Sequence, residues 1–235
     1  EIYTLSLHDA LPISIHAQSL TNNETGQILG HGNLNVGGSG LLNQGQLVFS
    51  NDTSAIFGDT TNDTGDDGKG ITITGNANVT FWDDVTHVAG SRFKVESGSS
   101  ATFFGTFGGA GNIIGGGDVY FESDLTPGTS PAEVTYAADV HLGSDATSIM
   151  EIGGTMPGTQ HDRLNVTGEI EFGGTLEVTT INGFVPAAGD SVDLFNWAAA
   201  SGAFASLDLP VLANGLTWYA EQLYTTGVQI GRAHV

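Results

Sequence analysis

The 235-residue chain contains no cysteine. That absence removes a disulfide framework and thiolate metal sites. The chain is nearly as poor in positive charge: five Lys and Arg stand against 26 Asp and Glu, a formal charge of −21. Ordinary nucleic-acid binding needs a basic footprint and is excluded, and anionic membrane surfaces are disfavoured. No run approaches the roughly 20 apolar residues of a membrane helix, so no transmembrane segment is expected. Good helix formers are scarce, and proline occurs six times. What is present is glycine, 35 residues of it, well above the usual share of about 7%. Ser, Thr, Asn and Val fill the stretches between glycines. β-branched residues between glycine punctuation point to an all-β chain. The acidity reads as solubility and self-repulsion, common in secreted or salt-exposed proteins. Cation binding is the sharper alternative.

The two ends have a different character. Glu1 to Ile13 (EIYTLSLHDALPI) and Ile230 to Val235 (IGRAHV) read as translated short-read library adapter. The codons left open at the junctions are compatible with Ser14 and Gln229. We therefore expect the natural segment to be residues 14–229, an internal piece of a longer gene, with 1–13 and 230–235 left out of fold reasoning. The apolar string LSLHDALPI belongs to the adapter and is not a signal peptide. Lys69, Arg92, Lys94 and Arg163 then remain as the bases.

A repeat runs through the middle of the chain. Residues 71–85 (ITITGNANVTFWDDV) align without a gap on 93–107 (FKVESGSSATFFGTF), a spacing of 22. Ile71 falls on Phe93, Ile73 on Val95, Thr80 on Thr102, Phe81 on Phe103 and Trp82 on Phe104. An earlier copy, 46–59, fits with about three extra residues in the acidic loop that follows it. Each copy reads as two short strands around a tight turn, Gly75-Asn76 or Ser97-Gly98, of residues that tolerate left-handed dihedrals. One such unit cannot bury its apolar face alone, but stacked units form a continuous column. The expectation is all-β: a right-handed parallel β-solenoid over 14–155, about 22 residues per coil. A β-rich cap or small sandwich is expected over 156–229. An antiparallel sandwich or barrel is the rival.

Several segments carry a family resemblance. SDLTPGTSPAEV (123–134), the stretch 151–197 beginning EIGGTMPGTQHDRLNVTG, and SGAFASLDLPVLANGLTWYAEQLYTTGVQI (201–230) resemble secreted bacterial proteins with autotransporter-like β-repeats. Many of these belong to the PEP-CTERM group, which exosortase recognises through a Pro-Glu-Pro C-terminal signal. In that group a Trp followed a few residues on by Gln-Leu-Tyr-Thr-Thr-Gly commonly stands just before the signal; Trp218 and Gln222 to Gly227 match that pattern, while the signal itself is not in this sequence. The resemblance covers about residues 30–229 and is specific from 123 onward. It implies export and anchoring at an extracellular or bacterial cell-surface location.

Four constellations invite chemistry. The loop DTTNDTGDDGKG sets Asp59, Asp63, Asp66 and Asp67 among glycines, oxygen ligands that suit calcium. They are the candidate metal ligands, although the spacing fits neither an EF-hand nor a nonapeptide repeat, and a solvated loop is the alternative. No other cofactor is expected. Asp83-Asp84 is a carboxylate pair that a glycosidase could use, yet neighbours on a strand point to opposite faces. Arg92 and Lys94 flank Phe93 on one face; a β-helical polysaccharide lyase would set such a base beside calcium-binding aspartates, here Asp83 or Asp84, and a surface ion pair is the simpler reading. His161-Asp162 invites a triad, but no nucleophile turn accompanies it, and a structural turn is the simpler reading. His31, His87 and His141 lie singly, without metal-ligand spacing. No catalytic residue is assigned.

The function expected is that of a secreted, surface-attached structural or adhesin-like protein without catalysis. Polysaccharide, extracellular matrix or a second copy are the partners considered. A polysaccharide-active or carbohydrate-binding β-helix protein is the alternative.

Overall fold

The computed structural model describes residues 13–129, 131–213 and 215–233. Its chain winds into a parallel β-solenoid. One coil consists of Asn78–Phe81, Val85–His87 and Arg92–Val95, and the next of Ser100–Phe103, Phe107–Gly109 and Asn112–Ile114. Each strand pairs in parallel with its counterpart one coil on. Three faces therefore run along the molecule, called first, second and third in that order. The aligned pairs are register partners: Ile71 with Phe93, Ile73 with Val95, Thr80 with Thr102 and Phe81 with Phe103. The turns between third and first faces use left-handed residues, with φ of 63° at Gly75 and Asn76 and 82° at Gly98.

The repeat aligned in the sequence covers the third and first faces. The second face was not resolved there, because its strands are short and carry polar residues inward. Asp59–Asn62, for example, buries Thr60 and Asn62.

Period-two alternation fills the interior. Ile56, Phe81, Phe103, Phe121 and Leu142 form one buried column on the first face. Leu47, Ile71, Phe93 and Ile113 form another on the third. Phe81, Phe103 and Phe121 stack with centroids 4.9 and 5.3 Å apart. Each fully buried aromatic of this kind contributes about 1.5–3 kcal/mol by leaving water.

One core residue breaks the apolar rule. Tyr136 is fully buried against Phe107 and Phe121, and its hydroxyl has no hydrogen-bond partner. Burial also pushes its ionisation up. Tyr136→Phe removes an unsatisfied group and keeps the ring, so it is expected to stabilise the protein by about 1 kcal/mol. Urea unfolding of the two proteins checks this; a loss of stability would point to an internal partner for the hydroxyl.

The parallel stack runs beyond residue 155. Thr175–Thr180 pairs with Thr147–Ile152, and Ser206–Asp208 pairs with Thr175–Thr180, completing a nine-stranded sheet. Arg163–Phe172 bends around a corner: its first half pairs with Glu133–Tyr136 on the third face, its second with Asp139–Leu142 on the first. It thereby joins both faces into one 15-stranded sheet, and Phe195–Gly202 pairs along it. The reason is visible in the alternation, since Leu164, Val166, Ile170, Phe172, Leu176 and Val178 are all buried. What changes near 155 is coil length: Val140 pairs with Ile170, and Ile170 with Ala200.

The part that departs from the stack is smaller than the 156–229 module expected. It is an antiparallel sheet of Ser191–Asp193, Val228–Ala233 and Leu216–Tyr219, with the short helix Leu223–Thr226. Val228–Ala233 continues past Gln229. Phe172, Phe195, Trp197, Phe204 and Tyr224 cluster where this piece meets the last coils. Among the described residues, no helix is long and apolar enough to cross a membrane.

Candidate functional site

Polar side chains occur in three settings: inside the solenoid, at its corners and along its outer surface. Inside, the second face carries a hydrogen-bonded ladder. Asn22 Nδ2 donates to Asn43 Oδ1 (2.7 Å), Asn43 Nδ2 to Asn62 Oδ1 (2.8 Å), and Asn62 Nδ2 to His87 Nδ1 (3.2 Å). His87 Nε2 then donates to the carbonyl of Asn112 (2.9 Å). All four side chains are buried. Every donor points the same way along the axis, so the bonds polarise one another. Asn22 and Asn62 also donate to the carbonyls of Gln46 and Arg92. The next coil ends the ladder with Gly111, where a Cβ would overlap the His87 ring.

This ladder is hidden in the sequence, where His87 lies singly and Asn62 falls within the acidic loop. The signal was the recurrence of Asn at 21 and then 19 residues, the coil spacing in that region.

The ladder needs neutral His87, and burial lowers the pKa of that ring. A base whose folded pKa is depressed contributes stability that is complete above its unfolded value, near 6.5, and is lost as pH falls below it. His161 behaves alike, because burial lowers its pKa too. Asp162 acts in the opposite sense. Burial raises its carboxyl to about 6, so its contribution is greatest in acid and is lost as pH rises through about 6. His87→Asn keeps a ladder acceptor without a titrating ring. Its melting temperature is expected to fall less than that of the wild type between pH 7 and pH 5. An equal fall in both proteins would remove His87 as the source.

At the corners, carboxylates bind backbone. Asp83 Oδ2 accepts from Gly58 N–H of the preceding coil (2.7 Å), and Asp84 Oδ1 from Thr106 N–H of the next (2.8 Å). The pair thus faces two ways and clamps three coils. Two glycosidase carboxylates would instead face one cleft, about 5–9.5 Å apart. A Cβ at Gly105 would overlap the backbone of Asp83, so glycine permits the close approach there. Asp162 plays a similar part: its two oxygens accept from Ala132 N–H and Glu151 N–H, each at 2.8 Å. His161 places its ring nitrogens 3.2 Å from the carbonyl oxygens of Gly154 and Asp193. Arg163 pairs with Asp193 at 3.0 Å. A neutral His161 ring donates to one of these two carbonyls, and both Asp162 oxygens accept from main-chain N–H groups, so the dipeptide is turned toward main chain.

The candidate calcium ligands do not converge. Asp67 is held by Lys69, through its backbone N–H at 2.9 Å and its ammonium at 2.5 Å, which also lowers the Asp67 pKa. Among the described residues no three His, Asp or Glu side chains are grouped to hold a metal ion, and Asp59, Asp63, Asp66 and Asp67 form no such group. The loop bulges between Asp59–Asn62 and Gly70–Thr74. Arg92 and Lys94 find partners other than Asp83 or Asp84: Arg92 donates to the carbonyl of Gly68 at 3.1 Å, and Lys94 pairs with Glu96.

On the outer surface, stacking coils generate side-chain columns. Tyr120 lies on His141 with centroids 4.4 Å apart, and His141 reaches Glu171 at 3.0 Å and Asp118 at 3.4 Å. At the corner between first and second faces, Phe57, Trp82 and Phe104 stack in sequence, with centroids 6.2 and 4.8 Å apart and planes within 11°. They are 44%, 47% and 45% exposed.

Compared with protein-family models, curated proteins and solved structures, the chain matches none.

Proposed function

We propose that the chain is part of a secreted, surface-attached structural or adhesin-like protein that presents its long polar faces without catalysing a reaction. The observation that supports this most is where the reactive side chains go. Asp83, Asp84 and Asp162 hold backbone N–H groups, His87 closes a buried ladder, and the His161 ring lies between two backbone carbonyls. A hydrolase or lyase would need such groups free and turned toward a shared cleft. The parallel stack supplies rigid faces of Thr, Ser, Asn and Asp instead, suited to many weak polar contacts. The resemblance to exosortase-sorted β-repeat proteins supports export and surface attachment.

The test is to incubate the protein with a panel of polysaccharides, following both binding and product release. Saturable binding without turnover is the expected result. Release of shortened chains at catalytic rates would replace the scaffold with a polysaccharide-active enzyme.

A further inference from the structure

We infer that the Phe57–Trp82–Phe104 column is a binding site for a cationic amino-sugar polymer; this rests on the scaffold reading above and names its ligand class. Nothing in the interior requires these three residues to be aromatic. They follow the last buried residue of their strands and lie outside the core, each nearly half exposed. Thr, Ser or Asn, abundant elsewhere on the surface, would serve solubility better. Three stacked rings instead make an apolar strip along the axis, near the spacing of adjacent strands, about 4.8 Å. A pyranose polymer has a similar repeat and an apolar C–H side.

The column continues into positions that leave its end uncovered. Glu122 follows Phe104 one coil on, and Gly143 follows Glu122, as the backbone bonds from Glu122 N–H to Phe103 and from Gly143 N–H to Phe121 show. A Cβ at Gly143 would overlap the Glu122 carboxylate. That carboxylate therefore extends over Gly143, away from Phe104. The ring face of Phe104 turned from Trp82 thus has no aromatic neighbour, and the Glu122 carboxylate lies further along the axis, over Gly143. A sugar ring on that face would find an acceptor for its hydroxyl or ammonium groups.

Charge selects the polymer. Lys69, Arg92, Lys94 and Arg163 lie on the third face or just before its strands, and Arg232 lies in the antiparallel sheet at the far end. The aromatic corner lies between the other two faces. Asp59, Asp83, Asp84 and Glu122 border it, and Asp83 and Asp84 each use one oxygen on backbone, leaving the other. The ring face of Phe104 turned from Trp82 attracts ammonium groups by cation–π contact, and the carboxylates around the column attract them by ion pairing. A polyuronate would meet a chain of net charge −21.

The experiment is calorimetric titration of the intact protein with three soluble oligomers: glucosamine, N-acetylglucosamine and galacturonate. Cleavage is monitored in each sample. The expected order is glucosamine first, the neutral oligomer at least about tenfold weaker, and no heat from galacturonate. Trp82→Ala and Phe104→Ala are expected to weaken glucosamine binding at least about tenfold, with unchanged circular dichroism. Should Trp82→Ala misfold, Trp82→Leu replaces it, keeping an apolar side chain without the indole ring. Unchanged binding in folded variants, galacturonate binding as well as glucosamine, or no binding to any oligomer would overturn the inference and leave the scaffold reading standing. Cleavage of any oligomer would overturn the scaffold reading itself.

Discussion

Asn62→Ala is expected to destabilise the protein by about 4 kcal/mol. Asn62 accepts from Asn43 and donates to both His87 and the carbonyl of Arg92. The alanine variant strands a buried Asn43 amide donor, a buried His87 acceptor and one carbonyl. Each unsatisfied buried group costs about 1–3 kcal/mol, far more than the net value of an exposed hydrogen bond. Ladder polarity adds to this, because removing the third of four members separates donors that had reinforced one another. Urea unfolding with fluorescence and circular dichroism measures the loss. Asn43→Ala should cost a similar amount, and the double variant less than the sum, since the two share one bond. Additive losses would mean that the ladder is not a connected unit.

Phe103→Ala is the second large effect, expected to cost about 4 kcal/mol. Phe103 is fully buried and touches four rings: Phe81 at 4.9 Å, Phe93 at 5.8 Å, Phe107 at 4.5 Å and Phe121 at 5.3 Å. Removing it leaves a cavity between coils whose backbones are fixed by ladders above and below, so collapse into the gap is restricted. The lost ring pairs add to the lost apolar area. A chain of this size should lose about 10 °C in melting temperature. In a solenoid each coil contacts its neighbours alone, so increased amide exchange should concentrate near residues 78–121 and spare the coils around Asn22. Uniform loss of protection would show that the stack unfolds as one cooperative unit.

These two residues also show how far the sequence can be read. Phe103 was legible: its alignment with Phe81 over 22 residues is the register of the structure. An apolar column repeats its chemistry at the coil period, and that repetition is what alignment detects. Asn62 was not legible, because a polar residue in an acidic, glycine-rich loop reads as solvated. Its inward direction depends on the second face, whose strands are too short to display alternation. Asp83 and Asp84 stood out correctly as opposed in direction, but their partners, Gly58 and Thr106, are set by coil stacking. The boundary placed at 155 followed a change in strand length. The buried alternation in RLNVTGEIEF continues the stack across it, and the added residues sit in loops. The outer aromatic column was half visible, in the alignment of Trp82 on Phe104. Its exposure required the structure.

Ladder, corner clamps and aromatic column all follow from the parallel stacking of successive coils in the stated register. The absence of cysteine makes it directly testable. Thr80, Thr102 and Tyr120 are outward neighbours on three consecutive coils, whereas Thr126 belongs to the second face. Paired cysteines at 80 and 102, at 102 and 120, and at 80 and 126 would be treated with a short bifunctional thiol reagent and mapped by mass spectrometry. Efficient intramolecular cross-linking is expected of the first two pairs and little of the third. Equal yields in all three, or failure of the pair at 80 and 102 in a folded protein, would rule out this register.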